Sequence, residues 1–334
     1  MNYSIAIVGG TGNAGRTTID VLEKRKFPVE KLYIIASKKS AGKTLIFKKK
    51  RIKIESLESF DFNKADITFF CAGAKNAKIW APKIAKKSIV IDYSSYFRQF
   101  KNIPLIVPEV NAEALKDYKK TNIIANPNCS TAELVVALKP LHERYNISRV
   151  VTSTYQSVSG AGKAAMDELV DQTKKWFQKK KIVPKKFTKQ IAFNVIPHID
   201  IFLKDGQTKE EWKMENETKK ILDKQIKLTA TCVRVPVFIS HSEAVNVEFR
   251  KKFNLGDVRR ILQKAPGCKV IDEQKNGGYA TPVESTGSYL TYVSRIRKDP
   301  TKNAINMWVV SDNLLKGAAL NAVQIAELLI KKFI

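Results

Sequence analysis

Residues 4–15 read SIAIVGGTGNAG, and this stretch decides the fold. Residues 4–8 form a short apolar run that predicts a buried strand. A glycine-rich turn follows, and an amphipathic helix is expected through Lys24. Gly10, Gly12 and Gly15 satisfy G-x-G-x-x-G at a strand-to-helix junction, the context in which that spacing is informative. The glycines allow a tight turn and close backbone approach, and the helix N-terminus offers amides to a pyrophosphate. The expectation is a dinucleotide site.

Working outward, short apolar runs recur at residues 32–36, 67–71, 89–92, 105–107 and 122–125, with helical stretches at 75–86 and 112–119. Such alternation predicts a parallel sheet of βαβ units. After residue 126 the pattern changes. Residues 130–145 read as a helix with Leu134, Leu138 and Leu141 at helical spacing, 149–158 as a long strand, and 166–179 as a lysine-heavy helix. Residues 228–238, 243–249, 288–296 and 304–310 are expected as long antiparallel strands, with a helix at 258–263 among them. An apolar helix at 315–333 closes the chain. The predicted organisation is an α/β chain in three parts: a dinucleotide-binding domain at 1–128, a second domain at 129–313, and a segment at 314–334 that returns to the first.

The chain has 334 residues, 44% of them apolar, enough for a substantial core. No stretch approaches the ~20 uninterrupted apolar residues of a membrane span. The first residues lack a charged region before an apolar one, so no secretory signal is expected. Four cysteines without a C-x-x-C pair point to free thiols in a reducing cytoplasm, and three scattered histidines argue against a structural metal. The formal charge of +27 is spread over short lysine runs at 48–51, 174–175, 179–181, 185–186 and 251–252. No nucleic-acid-binding pattern accompanies them. They read as a solvated surface that attracts small anions, with no specific nucleic-acid partner.

Three places carry chemistry. After the second strand the chain reads ASKKSAGK at 36–43, with hydroxyls and cations but no carboxylate for a ribose 2′-hydroxyl. That favours NADP over NAD. Residues 126–131 read NPNCST, which puts Cys129 at a polar strand-to-helix turn where helix amides and dipole are expected to lower the thiol pKa. Cys129 is therefore the candidate nucleophile, whereas Cys71 within a strand reads as core. His241, in RVPVFISHSE at 234–243, is the candidate proton shuttle. His142 reads as a surface residue of its helix, and His198 falls in no motif.

The order of NPNCST, TYQSVSGAG at 154–162 and RVPVFISHSE resembles the aspartate-β-semialdehyde dehydrogenase family. The likeness extends to IDYSSYFR at 91–98, IVPEV at 106–110, TKEEWKMENET at 208–218 and DNLLKGAALNAVQIAE at 312–327. The resemblance implies a Rossmann-type NADP-binding domain with an inserted α/β catalytic and dimerisation domain. It also implies a homodimer, or a dimer of dimers. Cys129 would form an acyl-thioester, His241 would be the acid–base catalyst, and Gln156 would orient the substrate. Arg234 would hold the α-carboxylate and Glu210 the α-ammonium, with Glu211 an adjacent alternative. Arg98, Asn128 and Lys213 resemble the phosphate-binding set. Thr11, Asn13, Ala14, Ser37, Lys39, Ser40, Ser159, Gly160 and Asn313 join the three glycines as cofactor positions. Lys39 stands where the family usually has Arg, and Ser240 where Gly precedes the histidine.

The implied reaction is reversible NADPH-dependent reduction of aspartyl-4-phosphate to aspartate 4-semialdehyde and phosphate, on the way to lysine or diaminopimelate, threonine and methionine. An N-acetylglutamyl-phosphate reductase is the rival of the same design. The acidic pair Glu210-Glu211 favours a substrate with a free amino group. A regulatory NADP-binding protein would lack Cys129 or His241, and both are present.

Overall fold

A computed structural model of the chain describes residues 1–334 and divides into two compact units. Met1–Asn128 with Ala318–Ile334 forms the first, and Cys129–Gly317 the second.

The first unit carries a seven-stranded sheet. Its strands are β1 (Tyr3–Val8), β2 (Val29–Ala36), β3 (Thr44–Phe47), β4 (Lys50–Ser56), β5 (Ile67–Phe70), β6 (Ile89–Asp92) and β7 (Ile123–Ala125), in the order β3-β4-β2-β1-β5-β6-β7. β1 pairs in parallel with both β2 and β5, and Ile5, Ala6, Ile7 and Val8 are fully buried. Burial on both faces explains a continuous apolar run where an edge strand would alternate. Helices α1 (Asn13–Lys24) and α2 (Ala74–Ile84) connect parallel strands, and α3 (Pro108–Asn111) is a single turn.

Two readings of this unit differ from the structure. Residues 105–107 are not a strand: Leu105 makes one isolated bridge to Ala125. Pro104 and Pro108 bracket the segment, and Pro108 begins α3, so the ladder cannot extend. The antiparallel hairpin β3–β4 was not expected at all. Its turn puts Lys48 and Lys49 at φ of 48° and 65°, a left-handed pair that sequence reading looks for at Asn-Gly rather than Lys-Lys.

The second unit opens with α4 (Cys129–Tyr145), followed by β8 (Ile147–Gln156), α5 (Lys163–Phe177), α6 (Lys209–Ile221), β9 (Lys227–Arg234) and β10 (His241–Phe249). Then come α7 (Leu255–Lys264), β11 (Cys268–Val270), the single turn α8 (Pro282–Ser285), β12 (Thr291–Lys298) and β13 (Ala304–Ser311). Its sheet has the order β11-β12-β13-β10-β8-β9. Leu134, Leu138 and Leu141 of α4 pack on Val150, Val245, Val247 and Val309 from the sheet.

β10, β12 and β13 pair antiparallel as expected, but β9 does not. It runs parallel to β8 in unbroken register from Arg149↔Lys227 to Gln156↔Arg234. The long crossover through α5 and α6 makes this possible, since parallel neighbours need such a connection. As a result Gln156 and Arg234 end their strands side by side.

After a π-helical turn at Leu315–Ala319 the chain returns to the first unit as α9 (Leu320–Lys332). There Asn321 Nδ2 donates to Ile106 O at 2.9 Å and to Asn126 Oδ1 at 2.8 Å. Arg25 grips Glu327 with two hydrogen bonds of 2.6 Å.

Candidate active site

The turn between β1 and α1 is a backbone cradle. Gly9 has φ of 82°, and a β-carbon there would lie 2.8 Å from the carbonyl oxygen of Cys71. A β-carbon on Gly15 would fall 2.5 Å from Gly9 O and 2.6 Å from Gly10 Cα, so only glycine lets α1 approach the turn this closely. Gly12 is the N-cap and brings no side chain to cover the first amides of α1. A helix start without a side-chain cap, at the positive end of the dipole, suits a pyrophosphate, so these residues fit a dinucleotide. Thr11, Asn13 and Ala14 belong to the same turn. Ser37 and Lys39 are exposed just past β2, where Ser40 N closes a turn onto Ser37 O at 2.9 Å. One carboxylate that linear reading did not associate with this turn, Glu58, feels the charge of Lys38.

The second unit gathers the remaining reactive side chains. Cys129 is the first residue of α4. Its thiol does not become acidic as expected from the helix terminus. Burial, then the Glu210 and Glu133 charges, push it up to about 12, against smaller opposing effects of Arg234 and the Ser130 amide. Gln156, buried at the end of β8, donates to Glu210 Oε1 at 3.1 Å and accepts from the Thr154 hydroxyl at 3.1 Å. Arg234, at the end of β9, donates from Nη1 to Ser157 O at 2.7 Å.

His241 starts β10 and is wholly buried. Its Nδ1 accepts the Ser157 backbone N–H at 3.0 Å, with the Ser157 hydroxyl at 3.1 Å, while Nε2 has no hydrogen-bond partner. Burial and the Arg234 charge hold its pKa down to about 3. Gly160 makes room for both groups. A β-carbon there would stand 3.3 Å from Arg234 Nη1 and 3.4 Å from the His241 ring.

Helix capping separates the surroundings of Glu210 and Glu211. Thr208 is the N-cap of α6, and both glutamates lie in its first turn. Glu211 closes a capping box by accepting Thr208 N at 2.7 Å, and its other oxygen accepts Cys232 N at 3.0 Å. Glu210 instead meets Gln156 and, at 3.0 Å, Lys213 Nζ. Thr-x-x-Glu is itself a helix-start signal, so α6 was legible at Thr208.

Of the phosphate set, Lys213 is clasped by Glu210 and, at 2.7 Å, by Asp200 Oδ2. Arg98 and Asn128 belong to the first unit. There Arg98 donates to Asn126 O at 2.9 Å and to Tyr93 O at 2.8 Å. Ser159 and Asn313 bond each other in the second unit, Asn313 Nδ2 to Ser159 Oγ at 3.0 Å. Two residues escaped the linear reading. A β-carbon on Gly317 would lie 2.7 Å from Cys129 Cβ and 3.0 Å from Glu133 Oε1, so only glycine leaves room for Cys129 here. Glu133, one turn beyond Cys129, is fully buried with neither carboxyl oxygen hydrogen-bonded. Burial, with Glu243 and Asp312 nearby, pushes it well up, toward a neutral acid.

Two family models match: the semialdehyde dehydrogenase NAD-binding domain over residues 4–118 and the semialdehyde dehydrogenase dimerisation domain over 138–316. The aspartate-semialdehyde dehydrogenase of Aquifex aeolicus is 52% identical, covering 99% of both chains. This chain belongs to the aspartate-semialdehyde dehydrogenase family. Membership makes it an oxidoreductase with a nicotinamide-cofactor-binding domain. The crystal structure of aspartate-semialdehyde dehydrogenase II from Vibrio cholerae, complexed with ASA, superposes with a TM-score of 0.98 at 45% identity over the whole of both chains. The enzyme from Candida albicans, solved with NADP, aligns at a TM-score of 0.77 with 25% identity over 99% of both chains. No helix is long and apolar enough to cross a membrane.

Proposed function

We propose that the chain catalyses the reversible, NADPH-dependent reduction of aspartyl-4-phosphate to aspartate 4-semialdehyde and phosphate, through a thioester on Cys129. The observation that carries this reading is the pairing of Glu210 with Gln156, with Cys129 subject to the charges of both Glu210 and Arg234. The Glu210 carboxylate and the Arg234 guanidinium, which act on the thiol together with the buried Glu133, match the ammonium and carboxylate of an amino acid whose side-chain carbonyl is attacked. Arg234 is suited to a planar, bidentate grip on that carboxylate. Gln156 orients the acyl group. Lys213, Arg98 and Asn128 receive the phosphate.

The glycine turn, Thr11, Asn13, Ala14, Ser37, Lys39 and Ser40 hold NADP, joined by Ser159, Gly160 and Asn313. Bound there, the cofactor supplies or accepts a hydride. The uncapped start of α1 and the lysines after β2 support a phosphorylated dinucleotide. The thioester divides acyl-phosphate reduction into two easier steps at one trapped carbon. Four free thiols suit a reducing cytoplasm, and the matched dimerisation domain supports a homodimer. The product suits the biosynthesis of lysine or diaminopimelate, threonine and methionine.

The test is phosphate-dependent NADP⁺ reduction with aspartate semialdehyde, run beside N-acetylglutamate semialdehyde. Turnover of the first alone is expected. Preference for the N-acetylated aldehyde would overturn the role of Glu210.

A further inference from the structure

Asp200 belongs to the loop between α5 and α6, and that loop is fastened to the two elements that carry Arg234 and Lys213. At one end Ile196 exchanges backbone hydrogen bonds of 2.9 and 2.8 Å with Arg234, the last residue of β9. At the other, the backbone N–H of Lys209, the first residue of α6, donates to Ile201 O at 2.8 Å. Between these anchors Asp200 takes a left-handed φ of 70°, which aspartate tolerates better than most residues. Its Oδ1 accepts the Ile201 amide at 2.9 Å, and its Oδ2 accepts from Lys213 Nζ at 2.7 Å. The carboxylate is thus held on the lysine by its own backbone. Glu210 Oε2 accepts a second N–H of the same ammonium at 3.0 Å, so two carboxylates face one cation. Burial alone would lower the Lys213 pKa, but Glu210 and Asp200 outweigh it and raise it.

We propose that Asp200 is a fixed counter-ion of Lys213 that weakens this lysine's hold on phosphate and so lets phosphate exchange with solvent. The inference rests on the proposed function, in which Lys213 receives the phosphate and Glu210 the α-ammonium. An ammonium has three N–H groups, and with two engaged by carboxylates at most one remains for an oxyanion. The charges lead the same way. In the loaded site the substrate's ammonium answers Glu210, whereas no positive group of the substrate answers Asp200. Lys213 and Asp200 therefore stay a neutral pair. The phosphate gains a hydrogen bond without the full attraction of an unmatched cation. Phosphate is product in one direction and substrate in the other, so it must pass in or out in every turnover. An ammonium free of its counter-ion would retain it longer. Asp200 acts through Lys213 alone, which makes it a positioning residue and not a catalytic one.

The test is Asp200→Asn, which keeps the size, tolerates the same φ and can still accept the Ile201 amide, but carries no charge. In phosphate-dependent NADP⁺ reduction, KM for phosphate should fall about tenfold, while KM for aspartate semialdehyde changes by less than about twofold. Calorimetric titration of inorganic phosphate into the substrate-free, full-length protein should show a Kd lower by a similar factor. Asp200→Gly also removes the charge and suits a positive φ, so it should give the same two results even if the Asn variant misfolds. Asp200→Glu keeps the charge, and its phosphate KM should stay close to that of the unmutated protein. A phosphate KM that is unchanged or raised in a folded, uncharged variant would overturn the proposal, since Asp200 would then only support Lys213. A fall in both KM values together would do the same, as it would reflect a general change in the site. Because phosphate binding is read without turnover, its failure is distinct from failure of the unmutated protein to turn over aspartate semialdehyde.

Discussion

Cys129 shows how burial competes with a helix terminus at the scale of one residue. The first turn of α4 favours a thiolate, but desolvation and two nearby carboxylates outweigh it and hold the thiol near 12. A raised thiol pKa means that the protonated form persists through neutral pH and the thiolate grows as pH rises. Alkylation of the free enzyme should therefore accelerate about tenfold per pH unit between roughly pH 6 and 9, with no plateau. A plateau near neutrality would mean an activated thiol in the free protein. With substrate, mass spectrometry should find acylation on Cys129 and not on Cys71, Cys232 or Cys268, and Cys129→Ala should lose turnover while still binding NADP⁺. Ser240 offers a second residue-scale expectation. At φ of 76° the backbone favours glycine, yet the serine also bonds the Thr286 hydroxyl at 3.0 Å. Relief of strain and loss of that bond nearly cancel, so Ser240→Gly should alter stability by less than about 1 kcal/mol. Ser240→Val should cost more than about 2 kcal/mol in urea denaturation, because a branched side chain is poorly tolerated there.

At the scale of elements, the proposed preference for NADP rests on the turn after β2. Its cations are exposed, so any preference for a 2′-phosphate is screened. A charge-assisted bond contributes about 1.5–3 kcal/mol before that discount, so NADP⁺ should exceed NAD⁺ in kcat/KM by at least about tenfold. Lys39→Ala should narrow the gap while leaving NAD⁺ kinetics nearly unchanged. Equal use of both cofactors by the unmutated enzyme would mean that the turn does not read the phosphate. Elements with a strong local signal were legible: β1 through its apolar run, α1 through its glycines, α4 through its leucine spacing. The β3–β4 hairpin was not, because Lys48-Lys49 adopts a glycine-like turn that its side chains do not advertise. The orientation of β9 was equally hidden, since an apolar alternation is the same in either direction.

Across the whole molecule, the +27 charge is expected to act on approach rather than on chemistry. Raising ionic strength from about 0.01 to 0.15 M shortens the Debye length from about 30 to 8 Å. The kcat/KM for the anionic substrate should fall several-fold over that range with kcat nearly constant, measured by initial rates. A salt-independent kcat/KM would assign the lysines no part in capture. Retention on DNA should vanish at modest salt, as nonspecific counterion release does.

Much of this protein was determined by its sequence alone. The spacing of Gly10, Gly12 and Gly15 requires close backbone approach wherever the rest of the chain goes, and NPNCST couples a thiol to a helix start through adjacent residues. These are local constraints, set within a few covalent bonds. Only the tertiary structure decided which acid faces Gln156, because Glu210 and Glu211 differ in the linear chain by one step and in the folded helix by a turn of about 100°. It alone put Gln156 beside Arg234, through a strand pairing that spans α5 and α6. It also reversed the expected acidity of Cys129. A pKa depends on what surrounds a group in space, and residues such as Glu210 and Arg234 reach that thiol only when the sheet has formed.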